Sequence, residues 1–411
     1  MSYKEISLNL TDEHRILKES VREFGRKILR PASIALDALP HTEVVKKDSL
    51  FHDCMKKMYE HKYQGALIPA ELGGCGFDPL GLHIFCEEIG YASVGFAVAI
   101  GVASFPAFFA AFTQNPALIE KWVLPYTACT DASIMGCWAI TEPNHGSDNL
   151  AHGTKYFNNP KISQQVKARK EGNKWILNGQ KSAWVSCGVT ATQAALFVGI
   201  DESMGMAGGG VCLVDLNSPG VSRGAPLDKI GQRDLPQGEI FFDNVAIPEE
   251  DMLFDQNTYD MAVFRTLVTA NAWMGAQFTG VAQSALDLAL EHCAQRTQGG
   301  KILCEHQAVQ KKLFEMFMKV ETARAMSRAA MIYNYSVEMP DLKYSITSKV
   351  YCTQAAFEVA SDAIQLFGGV GLTKAYPIEK IFRDARAGLI EDGVNDLLSI
   401  VGGSMLAKEA M

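Results

Sequence analysis

Between Cys137 and Leu150 the chain reads CWAITEPNHGSDNL. An apolar approach ends in Thr141, Glu142 and Pro143, and Gly146, Ser147 and Asp148 follow at once. Hydroxyls, a φ-fixed proline and a glycine behind a buried-looking strand make a mouth of aimed donors on apolar walls. That suits a planar ligand with polar atoms only at its rim. Two later stretches hold residue types that can meet a ligand. In QRTQGGKILCEHQAVQ, Arg296 carries a planar guanidinium fork that can hold two oxygens of an anion. In QLFGGVGLTKAYPIEKIFRDAR, Gly368 and Gly369 allow backbone to approach a phosphate or an adenine closely. The GGVG run lacks the third glycine and the preceding strand of a dinucleotide fingerprint, so it does not indicate NAD.

The elements that must carry these residues change period twice. TDEHRILKESVREFGRKILRPA has Thr11 as N-cap and apolar residues at helical spacing, with Pro31 expected to end the helix. DSLFHDCMKKMYEHKY and PLGLHIFCEEIGYA read as further helices around a turn-rich GALIPAELGGCGF. The middle holds short β-branched runs, NKWILNGQKSAWVSCG, AALFVGI, GGVCLVDL and GEIFFDNVAI, separated by Gly, Asn, Asp and Pro. The polar AHGTKYFNNPKISQQ between mouth and strands reads as a surface insertion. From residue 251 long helical patterns return, four in sequence, which argues for a bundle. The expected organisation is α+β: an N-terminal helical domain (1–132), a middle antiparallel β domain (133–250) and a C-terminal four-helix bundle (251–411).

Composition bounds the function. The 411 residues are 48% hydrophobic, enough for two or three domains. A net charge of -8 without a basic stripe excludes a nucleic-acid footprint and argues against an anionic membrane surface. The polar start, MSYKEISLNLTDEH, shows no secretory leader pattern. Val94–Phe112 is the longest apolar run, but Gly101 and Pro106 interrupt it and it reads as a buried helix pair. Ten scattered cysteines without a Cys-x-x-Cys pair point to free thiols in a reducing cytoplasm and to no metal site.

The order of domains and the spaced motifs together resemble the acyl-CoA dehydrogenase family of FAD-dependent flavoproteins, over nearly the whole chain. The resemblance implies that Trp138, Ile140, Thr141, Gly146 and Ser147 meet the flavin, with Ser147 also along the thioester. It implies that Trp184 and Ser186 of NGQKSAWVSCG cover the ring and supply a hydroxyl. Arg296, Gln307, Gln365, Gly368 and Gly369 then match positions that reach the FAD diphosphate across a subunit interface, and Val394 and Asp396 complete the cofactor set. Substrate contacts fall on Ser147, Asn271, Glu391 and Gly393. The expected partners are an acyl-CoA and an electron-transfer flavoprotein, in a homotetramer.

The sequence departs from the family pattern where the chemistry is concentrated. A glutamate usually precedes the glycine of the base loop; here IEDGVNDLL places Asp392 there, Glu391 beside it and Val394 for the usual threonine. Ala270 occupies the alternative base position on the first bundle helix, and Asn271 replaces a common arginine. Gly299 and Gly300 stand where an aromatic and a glycine are common. An aspartate draws the carboxylate back by about 1.5 Å, one bond. The implied reaction is α,β-dehydrogenation: a carboxylate, Asp392 or in its place Glu391, takes the α-proton, and the base residue's N–H and a flavin hydroxyl hold the enolate oxygen. The shorter base suggests a short, branched or alicyclic acyl group. It also admits a relative with altered chemistry: nitroalkane oxidase-like, flavin monooxygenase-like or acting on an unusual cyclic acyl-CoA.

Overall fold

A computed structural model describes residues 6, 7 and 9–411; the first five residues of the stretch read for a leader, and Leu8, lie outside the described residues. Among the described residues nine α-helices come first: α1 (Asp12–Phe24), α2 (Arg30–Asp37), α3 (His41–Val44), α4 (Leu50–Glu60), α5 (Pro79–Ala92), α6 (Val94–Ala103), α7 (Phe105–Phe112), α8 (Pro116–Leu118) and α9 (Leu124–Ala128). Thr11 caps α1 by accepting the His14 N–H, as expected. Pro31 does not stop the helix. Gly25–Leu29 form a widened π turn in which the Arg30 N–H reaches Gly25 O, and the proline falls at the start of α2, where its missing N–H costs little.

The strands are β1 (Gly136–Ala139), β2 (Lys167–Glu171), β3 (Lys174–Lys181), β4 (Gln193–Gly199), β5 (Gly209–Asp215), β6 (Val221–Arg223), β7 (Ile240–Pro248) and β8 (Met252–Phe254). They form one sheet in the order β6-β7-β3-β2-β4-β5-β8, with β1 added on β4. Most pairs are antiparallel, but β1 lies parallel to β4, Trp138 opposite Ala195. The first motif therefore enters at the end of a central strand. The sheet continues past residue 250 because β8 pairs with β5. The stretch 151–165 is only partly a surface insertion: Phe157 is buried against Tyr259, and the Gln164 amide donates to Met206 O.

After the sheet come α10 (Tyr259–Gln295), a short hairpin of β9 (Thr297–Gln298) and β10 (Lys301–Ile302), α11 (Gln307–Ser336), α12 (Leu342–Phe367), α13 (Ile378–Ala387) and α14 (Asn395–Glu409). α10 is buried nearly all round, the signature of a central helix. Its glycines set the spacing: a Cβ at Gly275 would sit 2.0 Å from Ser348 Oγ on α12, and one at Gly280 would sit 2.0 Å from Glu87 O on α5. Thus α10 is clamped between the bundle and the N-terminal helices. No single helix among the described residues is long and apolar enough to cross a membrane, and α6 with α7 are core elements.

Candidate active site

The mouth is built where β1 and β3 end side by side. Glu142 and Lys181 are fully buried there and paired at 2.7 Å. The Lys181 ammonium also donates to Ile140 O, and the Glu142 carboxylate accepts the Gln165 and Val166 N–H groups. Two buried charges persist because each faces the other and is hydrogen-bonded to the backbone around it. The pair fixes Thr141 between them, and Ser182 N–H donates to Thr141 O at 2.9 Å. Sequence reasoning missed this ion pair. The signal was a charged residue at each end of two apolar strands.

Beyond β3, Trp184 is 60% exposed although Val185 and Cys187 beside it are buried. Ser186 Oγ accepts from the Gln237 amide at 3.0 Å, and Trp184 O from the same amide. Trp138 faces the other way. Its ring stacks on Phe105 at 5.3 Å and meets Phe197 edge-on, so it is packed against the core at the end of the strand that leads into the mouth. Its Nε1 has no partner, and Ile140 is equally buried.

The base loop joins α13 to α14. Asp392 takes φ 54° and Gly393 φ 98°, a left-handed turn that aspartate and glycine tolerate. Val394 N–H donates to Ser147 Oγ at 3.0 Å, which ties the loop directly to the mouth. The sequence placed Ser147 and Val394 in one site, and the structure brings them together. Asn271, fully buried on α10, points its Nδ2 at Asp392 O, 3.5 Å away, and its Oδ1 has no partner among the described residues. From α12, Lys349 donates to Gly393 O at 2.6 Å and to Asn395 Oδ1 at 2.7 Å.

The adjacent carboxylates have different surroundings. Glu391 accepts from the Gln232 amide at 2.7 Å and is pinned into the β6–β7 loop. Burial raises its pKa, against that hydrogen bond and the Lys229 and Lys349 charges. The Asp392 side chain has no hydrogen bond among the described residues. Burial, reinforced by the Glu391 charge and opposed by Lys349, raises Asp392 to about 7. Its N–H is absent from the backbone hydrogen bonds of the described turns and loops. The two sides of the site are joined through Lys229, whose ammonium donates to Gln237 Oε1 at 2.7 Å and whose charge acts on Glu391.

The other matched residues lie far away. Arg296, Gln307, Gln365, Gly368 and Gly369 are all exposed. They gather at one end of the bundle, where His292 of α10 stacks on Phe367 of α12 at 4.0 Å. Asn271 and Arg296 are separated by most of α10, about 37 Å at 1.5 Å per residue. Asp396, in the first turn of α14, is exposed and nearer the base loop. Gly299 and Gly300 turn the short β9–β10 hairpin beside Arg296. Among the described residues no cluster could hold a metal ion.

The residues present fit FAD. An exposed indole projects from a buried segment beside hydroxyls at Thr141 and Ser186. A Cβ at Gly146, Gly368 or Gly369 would meet nothing within 4 Å, so these glycines leave open room for a ligand.

Helical, β and helical parts with a mouth at their junction define a three-domain flavoprotein dehydrogenase architecture, and sequence comparison makes the assignment specific. Three family models match in order: acyl-CoA dehydrogenase N-terminal domain (11–124), middle domain (137–245) and C-terminal domain (262–405). The chain belongs to the acyl-CoA dehydrogenase family, oxidoreductases that act on the CH–CH bond of acyl-CoA thioesters with FAD as cofactor. The mitochondrial short-chain specific acyl-CoA dehydrogenase of Rattus norvegicus is 31% identical over 96% of this chain and 90% of its own. The structure of butyryl-CoA dehydrogenase from Megasphaera elsdenii is 27% identical, with a TM-score of 0.86 over 98% of this chain and 100% of that one. A glutaryl-coenzyme A dehydrogenase, solved with glutaryl-CoA, is 26% identical, with a TM-score of 0.86 over 98% of this chain and 97% of that one.

Proposed function

We propose that the protein removes an α-proton and a β-hydride from a short acyl-CoA, with Asp392 as the base. The observation that carries this reading is the contrast in the base loop: Asp392 is unpartnered with its pKa near neutrality, while Glu391 is held by Gln232. A base poised near the working pH is half available and still strong enough to accept a carbon-bound proton. The thioester lies along Ser147. Asp392 takes the α-proton, and its own unengaged N–H faces the oxygen that becomes enolate. Such a donor is worth about 3 kcal/mol. Bound FAD supplies the acceptor for the hydride that leaves the β-carbon. Trp184 covers that cofactor's ring, and Thr141, Ser186 and the main chain at Gly146 bind its rim.

A short acyl group is supported by the base's reduced reach and by the short-chain and butyryl-CoA relatives. A second copy of the chain completes the cofactor site: in one chain Arg296 lies about 37 Å along α10 from Asn271, too far from the cofactor ring beside the base loop to share its binding site easily. We extend the proposal to a homotetramer, to an electron-transfer flavoprotein as acceptor and to a cytoplasmic setting, where ten free cysteines are stable.

Anaerobic titration of the flavin with straight, branched and cyclic acyl-CoAs tests the reading. Bleaching by a short-chain thioester is the expected result. A flavin that never bleaches with any thioester would overturn it and move the altered-chemistry relatives to the front.

A further inference from the structure

The base loop is unusual in its charge balance. Two carboxylates, Glu391 and Asp392, stand side by side, and Asn271 brings a neutral amide to Asp392 O. The cations facing them come from other elements. Lys229 of the β6–β7 loop donates to Leu235 O and Gln237 Oε1, and so leans towards the Glu391 side. Gln232 of the same loop binds Glu391 and lies against Asp384 of α13, whose carboxylate is paired with Lys380. On the Asp392 side the cation is Lys349 of α12. Its side chain is completely buried, in a helix segment otherwise made of small or apolar residues, SITSKVYC.

Burying an ammonium is costly unless it is hydrogen-bonded and faces opposite charge. Lys349 meets both conditions only at this loop. Two of its three hydrogens go to Gly393 O and Asn395 Oδ1, the residues on either side of Val394. Asn395 is fixed in turn, its Nδ2 donating to Thr353 Oγ1 at 3.0 Å. Val394, between the two anchors, donates its N–H to Ser147 Oγ. One lysine thus holds both ends of the segment that binds the substrate-side serine, directly after the left-handed residue that carries the base.

We propose that Lys349 is a positioning residue for the reaction: it holds the Gly393–Asn395 turn so that Asp392 reaches the α-carbon, and it supplies the positive charge that favours the ionised base. Burial lowers the Lys349 pKa to about 8, against the Asp392 and Glu391 charges, so the lysine is mostly protonated through a midpoint near 7 and loses charge only above that. The α-proton goes to Asp392 and not to the lysine, which as an ammonium has no lone pair and gives two of its three hydrogens to the turn. This rests on the reading of Asp392 as base, and the experiment separates the two.

The experiment follows exchange of the α-protons of butyryl-CoA with deuterium oxide by NMR, beside anaerobic flavin bleaching, from pH 5.5 to 9. The proteins are wild type, Lys349→Gln, Lys349→Met and Asn395→Ala, each as the FAD-loaded enzyme. In wild type, exchange should rise with a midpoint near 7. Lys349→Gln keeps a donor for Gly393 O but loses the charge, and its midpoint should move up by about one unit. Lys349→Met should show that shift and a fall of at least tenfold in the plateau rate. Asn395→Ala keeps the charge and should lower the plateau with the midpoint in place. A merely structural lysine would change melting temperature and flavin content without moving the midpoint. Should Lys349→Met not fold, the Gln and Ala variants decide. An unchanged midpoint in Lys349→Gln overturns the proposal and leaves Asp392 as base. A wild type that bleaches without a midpoint near 7 overturns the base reading and the proposal with it.

Discussion

The two ends of α10 are opposites. At the Asn271 end, catalytic candidates are wrapped by their own chain: Ser147 to Val394, Lys349 to Gly393, Gln232 to Glu391, with Glu142 and Lys181 sealed behind them. At the Arg296 end, Gln307, Gln365, Gly368 and Gly369 are exposed, and no side chain fills the space around the glycines. The first end is preorganised within one chain, as groups that must meet a reacting atom to a fraction of an ångström need to be. The second end is an exposed surface of donors and open glycines, which the proposed homotetramer would turn towards a ligand held by another copy. On the proposed function, chemistry is internal to the protomer and cofactor retention is shared between copies.

The sharpest way to break the first end is Asp392→Asn. It should lower the rate of flavin reduction by 10² to 10⁴ while flavin and fold remain, and it should abolish the limb of the pH profile with midpoint near 7. The same substitution has a stability sign. A carboxyl whose folded pKa is raised from its ordinary value near 4 to about 7 favours the folded state at low pH, and that contribution is lost as pH rises through 7. Asp392→Asn should therefore be more resistant to urea than wild type at pH 8.5, by up to about 4 kcal/mol, and equal to it near pH 4. A variant less stable at both pH values would place the Asp392 carboxylate in a stabilising contact.

Next in size is Lys181→Met. It strands Glu142 as an unpaired buried charge, and unfolding measured in denaturant should show a loss of about 3–5 kcal/mol. The double change with Glu142→Gln should recover much of that loss, because the cost lies in the partner left behind.

Arg296→Ala probes the other end. A charged hydrogen-bonding contact contributes about 1.5–3 kcal/mol, so flavin retention on dilution should weaken about tenfold to a hundredfold, with no change in the fold of the chain. Mixing makes the comparison between the ends direct. Arg296→Ala and Asp392→Asn chains, unfolded and refolded together, should regain activity that neither has alone, because a site built from the Asp392 of one and the Arg296 of the other is intact. Mixed oligomers as inactive as the parents would put both residues in one chain's site.

The sequence made the order of domains legible because period and turn chemistry change sharply at each junction. It also made Thr141, Ser147 and the 391–394 loop legible, since each is a local string. What it hid was long-range. Lys349 lies over forty positions from Gly393 and announces itself only as a charge in an apolar helix. Gln232 and Gln237 sit in a loop with no motif, yet they decide which carboxylate is pinned and how Ser186 is held. Pro31 misled for the opposite reason: the rule that proline ends a helix is local, and the widened turn at Gly25–Leu29 absorbs it. The stack of Trp138 on Phe105 is long-range and invisible in the local string.

The smallest expected effect discriminates most finely between the two adjacent carboxylates. Glu391→Gln keeps an oxygen that can accept from Gln232 and removes only the charge. If Glu391 were the base, this change would cost the same 10² to 10⁴ expected for Asp392→Asn. If Asp392 is the base, the plateau rate should hold, and only the pH midpoint should move. Its direction is fixed: the Glu391 charge helps raise Asp392, so without it Asp392 ionises more easily and the midpoint falls below 7. The shift should stay below about one unit, because burial rather than the neighbour is the larger cause and remains in place. Stopped-flow flavin reduction across pH 5.5 to 9 measures it. A midpoint that rises would mean that the two carboxyls share a proton, so that the pair rather than either residue titrates.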